Sequence, residues 1–294
     1  MFLSKPAFRG ELFGVFLAVI LFSLCSSPVL AQDESEAPEA SSKKSVDEIA
    51  RELSNPVGST ASLVFQGTWA KWGGDLPGAD EQSSSALIFL PTLPFKLGSG
   101  NLTVRPSFPF AGAPVLNTDG TWDKDQGFGD MVVLALWGRA EKSGFLWGFG
   151  PTAIFPTASK ETLGADQWQL GPAALAGLLL KKGVFGVLWQ HWWGLNDPEF
   201  GEKVNKGTLQ IFYWLSLSGG WQVGGSPVTT ANYVTASDID FTVPLNFGAA
   251  KTLMAGNTPI KATLQAQYFV TRPESLGPSW GIFFQISPVV GVPW

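Results

Sequence analysis

Long segments of two-residue alternation are the feature of this 294-residue chain that most narrows its possible folds. Every second residue from Ile239 to Phe247 is apolar, and the same pattern runs from Ile260 to Val270. Because successive side chains of a β-strand point to opposite faces, each segment predicts a strand with one apolar and one polar face. The chain is therefore predicted to be all-β over most of its length.

The number and length of these segments predict a barrel that crosses a membrane. Most span about 11 to 15 residues, which exceeds the roughly 5 to 6 of soluble sheets and suits the roughly 9 to 11 of a tilted transmembrane strand. The 34 Gly and 21 Pro disfavour a helical bundle, and no apolar run after residue 32 reaches the roughly 20 residues of a transmembrane helix. We expect a transmembrane antiparallel β-barrel of about 12 strands with a short N-terminal helix. The segments begin near residues 60, 84, 101, 127, 144, 168, 184, 207, 220, 238, 259 and 279.

Connections between the predicted strands alternate in length and in charge. Those that leave odd-numbered strands are generally long and polar, at 73–82, 112–126, 159–167, 196–206, 229–237 and 272–278, and the first four of them carry acidic residues. Those that leave even-numbered strands are mostly short, at 98–100, 141–144, 181–183, 219–220 and 254–258, and the basic residues Lys96, Arg139, Lys142, Lys181, Lys182 and Lys251 lie at their end of the barrel. Short periplasmic turns, long extracellular loops and two periplasmic termini are typical of outer-membrane barrels.

Tryptophan, with 13 copies, clusters near the predicted strand ends. Amphipathic indole rings favour membrane interfaces, so we expect these residues to form aromatic girdles. A soluble β-sandwich with a tryptophan core is the alternative, but it does not account for the alternation of loop lengths. The residues concerned are Trp69, Trp72, Trp137, Trp147, Trp168, Trp189, Trp192 and Trp193.

Residues 1–31 have the pattern of a secretory signal peptide. Lys5 and Arg9 precede an apolar stretch, and small residues ending at Ala31 suit signal peptidase. Cleavage there would remove Cys25, the sole cysteine, and leave a chain without disulfides. We therefore expect export through the periplasm to the outer membrane of a Gram-negative cell. An uncleaved membrane anchor is the alternative.

Composition divides the rest of the chain into three segments. Residues 32–44 lack aromatic side chains and predict a flexible periplasmic leader. Residues 45–56 predict a short helix, because Ser45 and Glu48 have the spacing of a capping box. Residues 57–294 would form the barrel. The helix could plug the periplasmic mouth, lie on the membrane surface or tether the chain.

One long motif resembles a known bacterial family. Residues Trp147 to Ala158, followed by Leu163-Gly164 and by Trp168 to Ala173, resemble the outer-membrane proteins associated with the meta-pathway of phenol degradation, which often carry the label neuromedin U. The resemblance implies an outer-membrane β-barrel with a role in small-molecule transport. It implies no established substrate. Shorter matches are Asn55-Pro56-Val57, Gly127 to Asp130, Thr242 to Leu245, Gln265 to Tyr268 and Arg272-Pro273.

Polar residues on the alternating strands are the candidate pore lining. If the apolar faces point to lipid, the opposite faces line the lumen and hydrate it. Alternatively, these side chains fill the interior by hydrogen bonding to one another, as in a structural barrel that conducts nothing. The candidates are Arg105, Gln210, Asp240, Thr242, Asn246, Lys261, Thr263, Gln265, Gln267 and Gln285.

The sequence offers little support for catalysis or metal binding. His191, the only histidine, suggests an outer-membrane hydrolase as an alternative function, but no serine motif accompanies it. The pairs Asp123/Asp125 and Glu199/Glu202 lack the glycine spacing of a calcium loop. We expect a non-enzyme without a cofactor or metal.

The predicted function is passive passage of small molecules, hydrophobic or aromatic ones among them. The expected partners are outer-membrane lipids, the barrel-assembly machinery and small-molecule solutes, with the protein a monomer. A net charge of −5 gives no support to nucleic-acid binding. Prolines within predicted strands suggest kinks that could open a lateral passage to lipid. These are Pro91, Pro94, Pro106, Pro109, Pro151, Pro156, Pro172, Pro227, Pro244 and Pro288.

Overall fold

The computed structural model describes residues 45–197, 202–235 and 238–291. The expected signal peptide, the expected leader and Glu199 of one acidic pair lie outside the described residues. The chain begins there with the helix α1 (Val46–Glu52), in which Ser45 and Glu48 form the reciprocal capping box. No helix within these described ranges is long and apolar enough to cross a bilayer.

Fourteen β-segments follow α1 and pair only with antiparallel neighbours. Because β4 and β5 both pair with β3, and β10 and β11 both lie between β9 and β12, two pairs of segments each act as one interrupted strand. Pairing of β1 with β14 closes the ring. The predicted 12-stranded antiparallel barrel is confirmed. The segments are β1 (Ala61–Gly73), β2 (Ser83–Leu97), β3 (Gly100–Leu116), β4 (Trp122–Phe128), β5 (Met131–Ala140), β6 (Phe145–Phe155), β7 (Gln169–Leu180), β8 (Gly183–Gly194), β9 (Asn205–Ser216), β10 (Trp221–Gly225), β11 (Val228–Thr235), β12 (Asp238–Ala255), β13 (Thr258–Thr271) and β14 (Gly277–Val290).

Two predicted loops are largely strand. Most of the connection expected at 112–126 is a hairpin that pairs Leu116 with Trp122, and the connection expected at 229–237 is mostly β11. The first error arose because acidic residues near 123–125 suggested a loop. The second segment is rich in Thr, Val and Tyr, which fit a pleated strand.

Alternation sorts the side chains into an outer apolar face and an inner face. On β12 and β13 the exposed residues include Phe247 (66% exposed) and Leu264 (60%), whereas the intervening Asn246 and Gln265 are buried. Large apolar side chains on the outer face of a barrel are expected where lipid replaces water. The polar residues between them therefore face the lumen.

Prolines interrupt the hydrogen-bonded ladder at several places. Pairing of β2 with β3 lapses between Phe89↔Phe108 and Leu93↔Val104, where Pro91 lies beside β3. Other prolines avoid the ladder, as expected where a backbone N–H is missing: Pro227 lies between β10 and β11, Pro244 lies at a register shift and Pro156 follows the end of β6.

Candidate lumen site and wall

All ten candidate pore residues lie on the lumen-facing side of their strands. Eight of them are close together on β12, β13 and β14, where Thr263 pairs with Gln285 and Gln267 pairs with Asn246. Gln210 lies on β9, on the same face as the buried Phe212. Arg105 lies apart from the others, on β3. The structure thus brings together the polar residues of one wall and leaves Gln210 and Arg105 outside that group.

Strands β12 to β1 provide a polar lumen wall. Gln66 Nε2 donates to Gln285 Oε1 (2.9 Å), and Gln285 Nε2 donates to Ser287 Oγ (2.8 Å). Gln265 Oε1 accepts from the backbone N–H of Ser226 (2.9 Å). Part of this wall is therefore bonded to itself, which limits how many of its groups can solvate a passing molecule.

The facing strands, β5 to β9, provide an apolar lumen wall, which two-residue alternation did not predict. On these strands both faces are apolar, so periodicity alone could not separate lumen from lipid. The available signal was the continuous apolar run itself, as in Val132 to Trp137. The wall is formed by Leu134, Leu136, Leu146, Ala173, Leu175, Val184, Leu188, Phe212 and Trp214.

The segment that follows α1 closes the short-turn end of the lumen. Val57 is 1% exposed and packs with the apolar lumen wall, while its carbonyl accepts from Asn101 Nδ2 (3.0 Å). Lys261 Nζ donates to Ser54 Oγ (2.9 Å) and lies 5.3 Å from the Trp214 ring centroid. We call residues 45–58 the plug segment.

The helix of the plug segment is fixed to the turn after β9. Asp47 accepts a hydrogen bond from the backbone N–H of Gly220, and Ser54 Oγ bonds the buried Gln222 side chain (3.2 Å). These contacts place the helix at the short-turn end of the barrel. This position gives Lys261 a structural partner rather than a free place in a pore.

A different set of side chains lines the lumen towards the long loops. Lys206 pairs in register with the inward Trp192 on one side and with Asn232 on the other, and Asn232 pairs with Asp240. Trp192 Nε1 donates to Thr152 Oγ1 (3.1 Å). The long-loop end of the lumen therefore carries charges of both signs, from Lys206 and Asp240. Further inside, the lumen is apolar on the side of strands β5 to β9.

The barrel wall has a gap where β10 gives way to β11. β12 pairs with β10 at residues 248–251 and with β11 at residues 238–242. Residues 243–247 therefore have no paired neighbour on that side. Ser226-Pro227 cannot continue the ladder, because proline lacks an N–H. Tyr213 reaches across and donates its hydroxyl to the Asn246 carbonyl. A cleft of about 430 Å³ opens on the outer face here, lined by Tyr213, Leu245, Asn246, Phe247, Ala266, Gln267 and Tyr268.

Comparison with solved structures agrees with this architecture. The crystal structure of the COG4313 outer membrane channel from Pseudomonas putida F1 is similar to this chain, with a TM-score of 0.60 and 17% identity over 80% of this chain and 96% of the channel. The chain has the fold of an outer-membrane β-barrel. The transport unit of the Escherichia coli autotransporter AIDA-I overlaps less well, with a TM-score of 0.43, 12% identity and coverage of 84% and 96%. The sequence matches no protein-family model and no curated protein.

The motif residues that carried the family resemblance meet at the long-loop end of the barrel. Asp130, between β4 and β5, accepts three backbone N–H bonds, from Thr157 (3.1 Å), Ala158 (3.1 Å) and Ala165 (2.9 Å). A Cβ on Gly164 would lie 2.6 Å from Asp130 Oδ1, so only glycine fits. We call this arrangement the Asp130 clasp. The clasp gives Asp130, Ala158 and Gly164 of the motif a structural role. The association with phenol degradation stays a prediction.

His191 lies on the outer face of the barrel. Its ring centroid is 4.4 Å from that of Trp193 and 5.5 Å from that of Tyr233, and its Nε2 is 2.9 Å from Asn205 Oδ1. Gly207 leaves room for the imidazole, since a Cβ there would lie 3.2 Å from Nδ1. These contacts suit an interfacial aromatic cluster, and within the described chain no serine is hydrogen-bonded to this ring.

Tryptophan at the short-turn end forms part of a girdle, with a charged pair beside it. Trp137 and Trp147 meet edge to face at 5.3 Å. Glu141, in the turn after β5, accepts from Trp147 Nε1 (2.9 Å) and from Arg139 Nε (2.7 Å). The Trp147 bond, and then the Arg139 bond, hold the pKa of Glu141 below its ordinary value. By contrast, Trp72 and Trp192 face the lumen and are not girdle residues.

Acidic side chains form no metal site within the described residues, where no group of three potential ligands occurs. Asp125 of the acidic pair on β4 already bonds the Lys160 ammonium and the Thr162 hydroxyl. A cation at Asp125 would have to displace that ammonium. Asp123 and Asp125 therefore lie on an accessible hairpin strand rather than in the loop that was expected.

Proposed function

We propose that this protein is an outer-membrane channel that admits small, apolar or aromatic molecules passively. The observation that carries the proposal is the apolar lumen wall, because a passage for water and ions alone has no need of Leu, Phe and Trp side chains. The fold, shared with an outer membrane channel, supports a place in the outer membrane. Export by a cleaved signal peptide, insertion by the barrel-assembly machinery and a monomeric state belong to the same proposal.

The route that we propose leaves the lumen through the wall rather than along the axis. The plug segment closes the short-turn end, with Val57 1% exposed among the apolar lumen wall. Beside Ser226-Pro227, β12 lacks a paired neighbour over residues 243–247, and apolar as well as polar residues line the cleft there. An apolar molecule that reaches this gap would pass into lipid without crossing the plug.

Reconstitution tests this function directly. Proteoliposomes should take up a neutral aromatic solute such as benzyl alcohol faster than protein-free vesicles, and the ionic conductance in planar bilayers should be small. Uptake no faster than that of the empty vesicles would support the structural-barrel alternative instead. A folded-barrel control is the heat-dependent shift in gel migration that intact outer-membrane barrels show.

The hydrolase alternative is tested at His191. We propose that the protein is not an enzyme, supported by the enclosure of the imidazole between Trp193 and Tyr233. His191→Ala should leave solute uptake unchanged, and neither variant nor wild type should cleave p-nitrophenyl esters or phospholipids. Ester cleavage by the wild type that His191→Ala abolishes would overturn this proposal.

A further inference from the structure

Two side chains on the lumen face of β3 each have a buried polar atom without a partner. Thr103 is 1% exposed, and its Oγ1 has no hydrogen bond within the described residues. Two residues on, Arg105 Nε is likewise buried and unpartnered there. Burying a guanidinium N–H without an acceptor is costly. An acceptor that occupies the lumen would offset this cost.

The surroundings of Arg105 supply no counter-charge. Leu134 is its register partner on β5, and Thr103 and Ser107 are its neighbours on the same face of β3. None of these side chains is ionisable, so the positive charge of Arg105 is not neutralised by its neighbours. The side chain of Arg105 keeps some accessible surface, so a molecule in the lumen can reach it.

The same position borders the apolar lumen wall. Leu134 and Leu136 lie opposite Arg105 and Thr103 in the β3–β5 register, and they are only 5% and 2% exposed. Side chains that are opposite each other in an antiparallel pair are in contact distance. A cation, a hydroxyl and an apolar surface therefore meet at one place, which we call the β3 corner (Thr103, Arg105, Leu134 and Leu136).

We propose that the β3 corner binds the carboxylate of a small organic acid whose body is apolar or aromatic. The planar guanidinium matches a carboxylate in two parallel hydrogen bonds, and the Thr103 hydroxyl can donate a third. Thr103, Leu134 and Leu136 are at most 5% exposed in the ligand-free structure, so binding displaces the side chains that cover them. The apolar body of the ligand then lies against the two leucines. This site rests on the proposed channel function and gives that channel a substrate class.

The position of the corner relative to the plug segment suits a binding step before release. Asn101, which holds the Val57 carbonyl, is four residues before Arg105 on β3. At about 3.3 Å per residue, Arg105 lies roughly 13 Å further along the strand, above the plug. A ligand held there would be inside the lumen but not yet at the closed end.

Calorimetry on the purified barrel in lipid nanodiscs at pH 7 tests the site, with benzoate and its neutral counterpart benzamide as probes. Wild type should bind benzoate more tightly than benzamide. Arg105→Met should weaken benzoate binding about tenfold or more and leave benzamide binding unchanged, because one charge-assisted pair is lost. Thr103→Val should weaken benzoate binding less. Arg139→Met, which removes an arginine on the outer face beside Trp147, is the matched control and should bind benzoate as the wild type does.

Stability separates a binding role from a structural one. If Arg105 serves a ligand, Arg105→Met should unfold at the same temperature as the ligand-free wild type or higher, because an unpaired buried charge has been removed. A lower unfolding temperature for both Arg105→Met and Arg105→Lys, or equal affinity of the wild type for benzoate and benzamide, would overturn the proposal. Benzyl alcohol uptake separates failure of the channel proposal from failure of the β3 corner. If the wild type takes up no benzyl alcohol, the channel is refuted. If it takes up benzyl alcohol but does not prefer benzoate to benzamide, only the β3 corner is refuted.

Discussion

Substituting Val57 by aspartate should release the plug segment and open the axis of the barrel. Val57 is 1% exposed among the apolar lumen wall. Burial of a valine side chain contributes about 1.5 to 3 kcal/mol, and an unpaired buried carboxylate costs several kcal/mol more. A total loss of about 4 kcal/mol corresponds to roughly a thousandfold shift in the docking equilibrium of the segment.

The remaining anchors cannot hold the segment against that change. The bonds from Asn101 to Val57, from Lys261 to Ser54 and from Gly220 to Asp47 contribute about 1 kcal/mol each. The cost of ordering the segment opposes them. Val57→Asp should therefore populate the released state in a large fraction of molecules.

Two measurements report the release. In planar bilayers Val57→Asp should conduct ions several times better than the wild type, since the short-turn end is no longer closed. Trypsin should cut the released segment after Arg51, which is only partly exposed while the plug segment is docked. Ser59→Asp, which adds the same charge at an exposed position two residues on, is the control. Wild-type conductance together with wild-type trypsin resistance in a folded Val57→Asp barrel would refute the assignment of this segment as a plug.

Three further predictions concern the wall and the loops. Asp130→Ala should let trypsin cut the chain after Lys160 more readily and should lower stability by about 2 to 3 kcal/mol, because three backbone N–H groups lose a charged acceptor. Unchanged proteolysis would contradict the Asp130 clasp. Tyr213→Phe should cost about 1 kcal/mol and speed benzyl alcohol uptake, because the Asn246 carbonyl at the wall gap loses its donor; slower uptake would contradict a wall route. Because the pKa of Glu141 is lowered in the folded protein, its stabilising contribution is present above the unfolded pKa and is lost as pH falls through the folded pKa. NMR titration should place that pKa below the ordinary glutamate value in the wild type and raise it in Trp147→Phe, and an unshifted wild-type value would contradict the Trp147 hydrogen bond.

The barrel itself was predictable from sequence because its constraint is local. A strand alternates along its own length when its outer face meets lipid and its inner face is polar, so the two faces of β12 and β13 can be told apart without reference to the rest of the chain. Pairing then follows from loop length, since short and long connections alternate. Reliance on local patterns also explains why the loops predicted at 112–126 and 229–237 were wrong. There, charged residues or a turn signal suggested a loop although the strand continues.

The lumen was predictable only where its wall is polar. Gln265 and Lys261 stand out because their outer neighbours are apolar, whereas Leu134 and Leu175 have apolar neighbours on both sides and carry no sign of direction. The plug segment shows a different limit. Its capping box is a four-residue signal, but the bond from Asn101 to Val57 joins residues 44 positions apart, and no local pattern specifies such a contact.

The pairing of β1 with β14 sets the order in which this barrel can be completed. The strand that closes the ring, Gly277–Val290, follows the other described strands in the chain, and it bonds to β1 along most of its length. Until it arrives, β1 and β13 each present an open edge that could pair with another chain. Closure therefore brings together residues more than 200 positions apart, a search that is slow and aggregation-prone for an unassisted chain. A barrel of this topology depends on something to cover those two edges until β14 is in place.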